Sequence, residues 1–331
     1  MRSVIRFSDR GKRRVENVVV GAVLLSAIAL VGCDIPDGGR REARRNQTPD
    51  PITTTVAAAV TEAPVTSVTP VEPAVPRVVT YEEADSAFRD RRYAEASDLF
   101  SSYVESKPEN PWGFYMLGLS AWKSGEHERA EEAFGKAIGL DRTHVKSYLN
   151  LSRVLLESGR PLEALERLDT ALALDSTSNV VHRLRGLALA DLGHLEAAAD
   201  EYRRAIVLDE QDVWAMNNLG LLYLRQGWYE EALFPLARAV ELDGTVTTFL
   251  NNLGMALEHT GRFAQAAEVY GRAVAADATH AKARANFARL DGRENDPFVE
   301  PADFGLLAAD FERQVVGWKG WEDVVAGLRE P

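Results

Sequence analysis

The chain is short of the residues from which compact active centres and cross-links are made. One cysteine, Cys33, in 331 residues excludes an internal disulfide and a cysteine-rich zinc site. The six histidines are dispersed and offer no metal-ligand spacing. No Gly-x-Ser-x-Gly elbow, His-Glu-x-x-His helix or phosphate loop occurs, so no catalytic residue and no cofactor is expected. Basic residues are outnumbered 38 to 50, and a formal charge of −12 argues against a surface built to neutralise nucleic-acid phosphates. The charge-free run Val18–Val31 falls short of the roughly 20 residues that a helical bilayer span takes. What remains is 46% hydrophobic and 27% charged, an ordinary globular balance, so stability rests on packing.

The charge is unevenly placed. Residues 1–32 hold Arg2, Arg6, Arg10, Lys12, Arg13 and Arg14 against Asp9 and Glu16, a balance of +4 that leaves −16 on the rest. A basic start followed by a short apolar core is the pattern of an export signal. That core ends in Leu30-Val31-Gly32-Cys33, which resembles the bacterial lipobox, where the cysteine thiol receives a diacylglycerol before cleavage. The resemblance implies a lipoprotein signal peptide over 1–32 and a mature chain that starts at Cys33. Acyl chains such as palmitate then hold it to a membrane of the bacterial cell envelope, each buried methylene contributing about 0.8 kcal/mol. Inner and outer membrane both stay open. An uncleaved signal anchor on the cytoplasmic side is the alternative.

Residues 33–76 read as a tether. Pro36, Pro49 and Pro51 precede Thr53-Thr54-Thr55, and Pro64, Pro70, Pro73 and Pro76 follow it. Proline at this density favours extended backbone, and with few large apolar side chains there is little to bury, so a disordered linker is expected. Fully extended, at about 3.1 Å per residue, it would reach on the order of 130 Å.

From residue 77 to 280 the sequence repeats every 34 residues without insertion, as units 77–110, 111–144, 145–178, 179–212, 213–246 and 247–280. Position 20 of each unit is Ala96, Ala130, Ala164, Ala198, Ala232 and Ala266. Position 8 is small: Ala84, Gly118, Ser152, Gly186, Gly220 and Gly254. Position 24 is large: Phe100, Phe134, Leu168, Tyr202, Leu236 and Tyr270. Small residues at 8 and 20 let two helices approach, and the large one at 24 fills the gap between them. Glycine at position 15, from Gly125 to Gly261 in units two to six, suits the left-handed turn that ends a helix; the first unit has Arg91 there. This pattern resembles the tetratricopeptide repeat. The resemblance implies an all-α fold, a right-handed α-solenoid of six helix hairpins over 77–290 with a capping helix at 281–290.

In that family the first helix of each hairpin lines the concave surface, with positions 2, 5, 6, 9, 12 and 13 facing inward. The resemblance therefore assigns Asn150, Arg153, Leu187, Asn217, Asn218, Leu221, Asn251, Asn252 and Met255 to a groove. Leucine and methionine there suit apolar side chains of a bound peptide, and amides can pair with its backbone; alternatively the asparagines only solvate the face. The Lys and Arg clamp with which some family members hold a C-terminal carboxylate is not reproduced, since Leu184 stands where it needs Asn. After an irregular stretch, the tail 291–331 places Leu307, Phe311, Val315, Trp318, Trp321, Val325 and Leu328 on one helical stripe. Gly317, Gly320 and Gly327 weaken such a helix, so it needs a surface: this solenoid's end or groove, a partner or a membrane.

The reading is a membrane-anchored scaffold, not an enzyme, that binds a segment of an envelope protein in its groove. Type IV pilus pilotins and adaptors that recruit peptidoglycan hydrolases are the functional types it resembles, although the long tether departs from the compact pilotin arrangement. A regulatory subunit of an envelope enzyme is the alternative.

Overall fold

The structure, a computed structural model, describes residues 78–290 and 292–327, with side chains through 320. The export segment, Cys33, the tether and Leu328 lie outside the described residues, and the side chains of Trp321 and Val325 lie outside them too. Among the described residues there are fourteen helices and no strand. The first helices of the hairpins are α1 (Tyr81–Arg89), α3 (Pro111–Ser124), α5 (Val145–Glu157), α7 (Asn179–Asp191), α9 (Val213–Gln226) and α11 (Thr247–His259). Their second helices are α2 (Tyr93–Ser106), α4 (His127–Leu140), α6 (Pro161–Leu174), α8 (Leu195–Leu208), α10 (Tyr229–Leu242) and α12 (Phe263–Ala276). The cap α13 (Ala281–Leu290) and the tail helix α14 (Phe304–Gly327) follow. Helix α1 starts four residues into its repeat, where Thr80 caps it by accepting from the Glu83 amide.

Each hairpin closes as its small and large residues require. An added Cβ at Gly118 would stand 2.7 Å from the Phe134 ring, one at Gly186 2.6 Å from Tyr202, and one at Gly254 2.5 Å from Tyr270. Phe134, Leu168, Tyr202, Leu236 and Tyr270 are wholly or almost wholly buried, as are all six alanines at position 20. At position 15 the glycines adopt left-handed backbone, with φ from 71° to 86°, and Arg91 is held at φ 60° in the same place. Between hairpins, Asp141, Asp175, Asp243 and Asp277 each accept from the amide and hydroxyl of the threonine two residues on. Such a turn satisfies backbone donors that leave one helix before the next begins.

The way the helices touch gives the stack its curvature. Consecutive first helices contact one another, α3 with α5, α5 with α7, α7 with α9 and α9 with α11, and α11 meets the cap α13. Consecutive second helices make no comparable contact. The first-helix row is therefore the tighter one, the stack bends toward it, and its outward surface is concave.

The splayed second helices leave a furrow, and the tail fills it. Helix α14 packs on α10 and, less extensively, on α8, burying Ala308, Phe311 and Val315. Arg238 reaches its Glu312 at 2.6 Å, and Arg203 lies over the Trp318 ring. The segment before it is stitched to the start of α12: the Ala264 amide donates to Asn295 Oδ1, and Gln265 exchanges two hydrogen bonds with the Ala302 backbone. The tail thus lies on the convex, second-helix side, not at the solenoid's end or in its groove.

Candidate functional site

The concave face is the candidate site, and position 6 shows how it is built. Its amide reaches back one repeat to position 5. Asn150 Nδ2 donates to Tyr115 Oη at 3.3 Å, Asn252 Nδ2 to Asn217 Oδ1 at 2.8 Å, and Asn286 Nδ2 to Asn251 Oδ1 at 3.0 Å. Asn150, Asn217, Asn251 and Asn252 are all buried. These amides bridge neighbouring first helices, and a buried amide with its partner in place stabilises by about 1 kcal/mol while an orphaned one costs more. Asn218 is only half-buried and accepts from Asn217 at 3.4 Å. The rungs stop in the middle of the stack, where Leu149 and Leu184 take the two positions.

The apolar residues stay partly open. Leu187, Leu221 and Met255 hold position 9 on α7, α9 and α11, and all three are half-buried, so the face carries an interrupted apolar stripe. Met255 Sδ accepts from Asn251 Nδ2 at 3.6 Å. At the same position on α5 stands Arg153, also half-buried, whose Nη1 donates to Asn150 Oδ1 at 2.7 Å. Burial, and then the charge of nearby Arg183, pull its guanidinium below the ordinary arginine value. Arg183 is anchored instead, with Nε donating to buried Asp212 at 3.0 Å.

Two further groups escaped the sequence reading. At the N-terminal end of the face Trp112 is exposed, tilts against Tyr115 at 5.0 Å, and donates from Nε1 to Tyr81 Oη at 2.8 Å. Positions 2 and 5 of the second repeat, read as inward-facing, would have pointed to this pair. Beneath the face, buried His182 holds Glu201 at 2.6 Å, and Arg185 binds both Glu201 and Asp169. Burial pushes the Glu201 carboxyl up, but the His182 hydrogen bond and the Arg185 charge outweigh it and hold the group below its usual value. His259 stacks on Tyr229 with ring centroids 4.3 Å apart. His280 Nδ1 accepts from the Ala283 amide and so caps α13.

Among the described residues no three His, Cys, Asp or Glu side chains stand where they could hold a metal. Among the same residues no helix is long and apolar enough to cross a membrane.

Family models agree with this architecture. Models described as tetratricopeptide repeat match residues 81–144, 121–188 and 218–281, and one described as TPR repeat matches 186–227. No curated protein matches the chain. Among solved structures, PilW, a widely conserved type IV pilus biogenesis factor, is 18% identical, with 62% of this chain and 94% of that one covered and a TM-score of 0.56. The APC/C heterotetramer Cut9–Hcn1 is 19% identical, covering 62% of this chain and 41% of that one, also at 0.56. MamA from Desulfovibrio magneticus RS-1 is 21% identical over 50% of this chain and 93% of its own, at 0.46. At these identities the likeness is one of fold, a fold that supports scaffolds for protein–protein interaction.

Proposed function

Because the chain belongs to the tetratricopeptide-repeat family over residues 81–281, we propose that it is a binding scaffold whose concave face holds a peptide segment of a partner protein. One observation carries this reading. The tail packs on α8 and α10 of the convex row and leaves the concave row uncovered, where Leu187, Leu221 and Met255 remain partly open on consecutive first helices. An apolar stripe beside rigidly bridged helices is a preorganised surface for an extended or helical segment, which loses less to ordering than a mobile site would. The buried asparagines serve this surface by fixing helix spacing, and Asn218 and Arg153 supply its polar contacts.

The proposed place of action is the bacterial cell envelope. Support comes from the basic start, the short apolar core and the lone cysteine at Leu30-Val31-Gly32-Cys33. In this reading Cys33 carries the lipid, the Pro- and Thr-rich stretch spaces the solenoid from the membrane, and the partner is an envelope protein whose assembly the scaffold assists. PilW, which shares the fold, is a pilus biogenesis factor, and assembly of an envelope complex is a role of the same kind.

In-cell photocrosslinking from a reactive residue at Leu187 tests the groove: a discrete adduct with an envelope protein is expected, and no adduct would overturn it. Radioactive palmitate tests the anchor. Label that is incorporated and then lost in Cys33→Ser is expected, and label that persists in that variant would refute lipidation at this residue.

A further inference from the structure

The arginines of this chain follow a rule that one of them breaks. Every other half-buried arginine among the described residues has a carboxylate within salt-bridge distance. Arg183 has Asp212, Arg185 has Glu201, Arg238 has Glu241 and Glu312, and Arg262 has Glu230. Arg129, Arg160 and Arg203 are paired in the same way. Among the described residues no carboxylate lies within salt-bridge distance of Arg153; Glu157, one turn on in α5, acts on it only at longer range, and its one hydrogen bond, to Asn150 Oδ1, leaves most of the guanidinium donors unused. A charge partly withdrawn from water without a counter-ion in direct contact is costly, and that cost is recovered when an anion binds it directly.

We propose that Arg153 is the specificity-determining residue of the concave face and pairs with the side-chain carboxylate of an Asp or Glu within the bound segment. The inference rests on the peptide-binding reading above and names the chemistry of the peptide. Three features make the site selective. Asn150 is itself fixed by its bond to Tyr115, so the guanidinium is held by a chain of two hydrogen bonds and not by a mobile side chain. Arg183, its own charge answered by Asp212, opposes the Arg153 charge more strongly than Glu157 favours it, so the guanidinium stays open to a directly bound anion. Leu187 holds the same repeat position on the next first helix, so an apolar side chain of the segment would lie beside its acid. An arginine fork matches a carboxylate by two parallel bonds, and that geometry separates Glu from Gln.

The test is selection from a random peptide library, with amidated C-termini, on the full chain and on its Arg153→Met variant. Peptides recovered on the parent should share one acidic position. Replacing that acid by its amide should weaken binding about tenfold, as expected for a charged hydrogen bond, and Arg153→Met should weaken the acidic peptide equally. The two changes together should cost little more than either alone, the mark of a direct pair. Arg153→Met should also unfold at the same or a higher temperature than the parent, because it removes an unpaired, partly buried charge; this separates lost recognition from lost folding. Peptides that bind without any acid, or whose acid preference survives in Arg153→Met, would overturn the assignment and leave the groove standing. Recovery of no peptide at all would sink both.

Discussion

Replacing Gly118 and Gly135 by alanine, one at a time, separates packing from helix propensity within a single hairpin. Both glycines lie inside helices, Gly118 in α3 and Gly135 in α4, so each gains about 1 kcal/mol of propensity on becoming alanine. At Gly135 the new methyl meets nothing within 4 Å, and the gain is kept. At Gly118 it would stand 2.7 Å from two carbons of the Phe134 ring, and that ring is fully buried with nowhere to retreat. Overpacking of this kind costs roughly 1–3 kcal/mol. The propensity gain cancels between the variants, so the gap between them is the packing cost itself, about 2 kcal/mol at mid-range. For a folded region of this size that is roughly 4–8 °C in the unfolding midpoint. Thermal unfolding followed by far-ultraviolet circular dichroism should therefore show Gly135→Ala above the parent and above Gly118→Ala. Equal midpoints for the two variants would refute the argument that a small residue at repeat position 8 is what lets paired helices close.

Other perturbations probe other parts of the structure. Arg91→Gly should raise stability by about 1 kcal/mol in the same assay, because an L-residue at φ 60° is strained; a loss would mean the Arg91 side chain matters more than its backbone. Asn252→Leu should cost about 1–3 kcal/mol by orphaning buried Asn217 Oδ1, whereas Asn217→Leu/Asn252→Leu together should be nearly neutral. Leu149 and Leu184 already occupy that pair of positions two repeats earlier, and a double variant no better than the single would contradict the rung. Phe311→Ala should release α14 from α8 and α10, removing about 3–5 kcal/mol of local protection that amide exchange will read on those helices, without weakening peptides bound to the concave face. Glu201, with its folded pKa held low, contributes stability that is present above the ordinary carboxylate value and lost as pH falls through the folded one. Glu201→Gln should therefore flatten the acid limb of the stability profile, and an unchanged limb would show that Glu201 does not carry it.

Much of the fold was legible because its determinants recur. A residue type that returns every 34 positions reports a demand of the backbone or of packing, and the glycines at φ 71–86° and the buried alanines at position 20 meet that demand. The site was legible only in part. Asn217 and Asn252 look alike in sequence whether they face a ligand or each other, and only the register between adjacent first helices shows that they bond one repeat apart. The tail showed its apolar stripe, but the stripe alone could not choose a side. That choice follows from the furrow between splayed second helices, a property of the assembled stack that no single repeat encodes. Arg153 stood out in sequence only as a break in the leucines of position 9; that Glu157, the acid one turn away, makes no salt bridge with it is visible only once the side chains have been placed.

The central claim is that one side of this stack binds and the other does not. In-cell crosslinking from matched photoreactive residues at Leu221, half-buried on the concave row, and at Leu162, 63% exposed on second helix α6, tests it directly. The account predicts a partner adduct from Leu221 and none from Leu162. The same adduct from Leu162, with Leu221 silent, would contradict it.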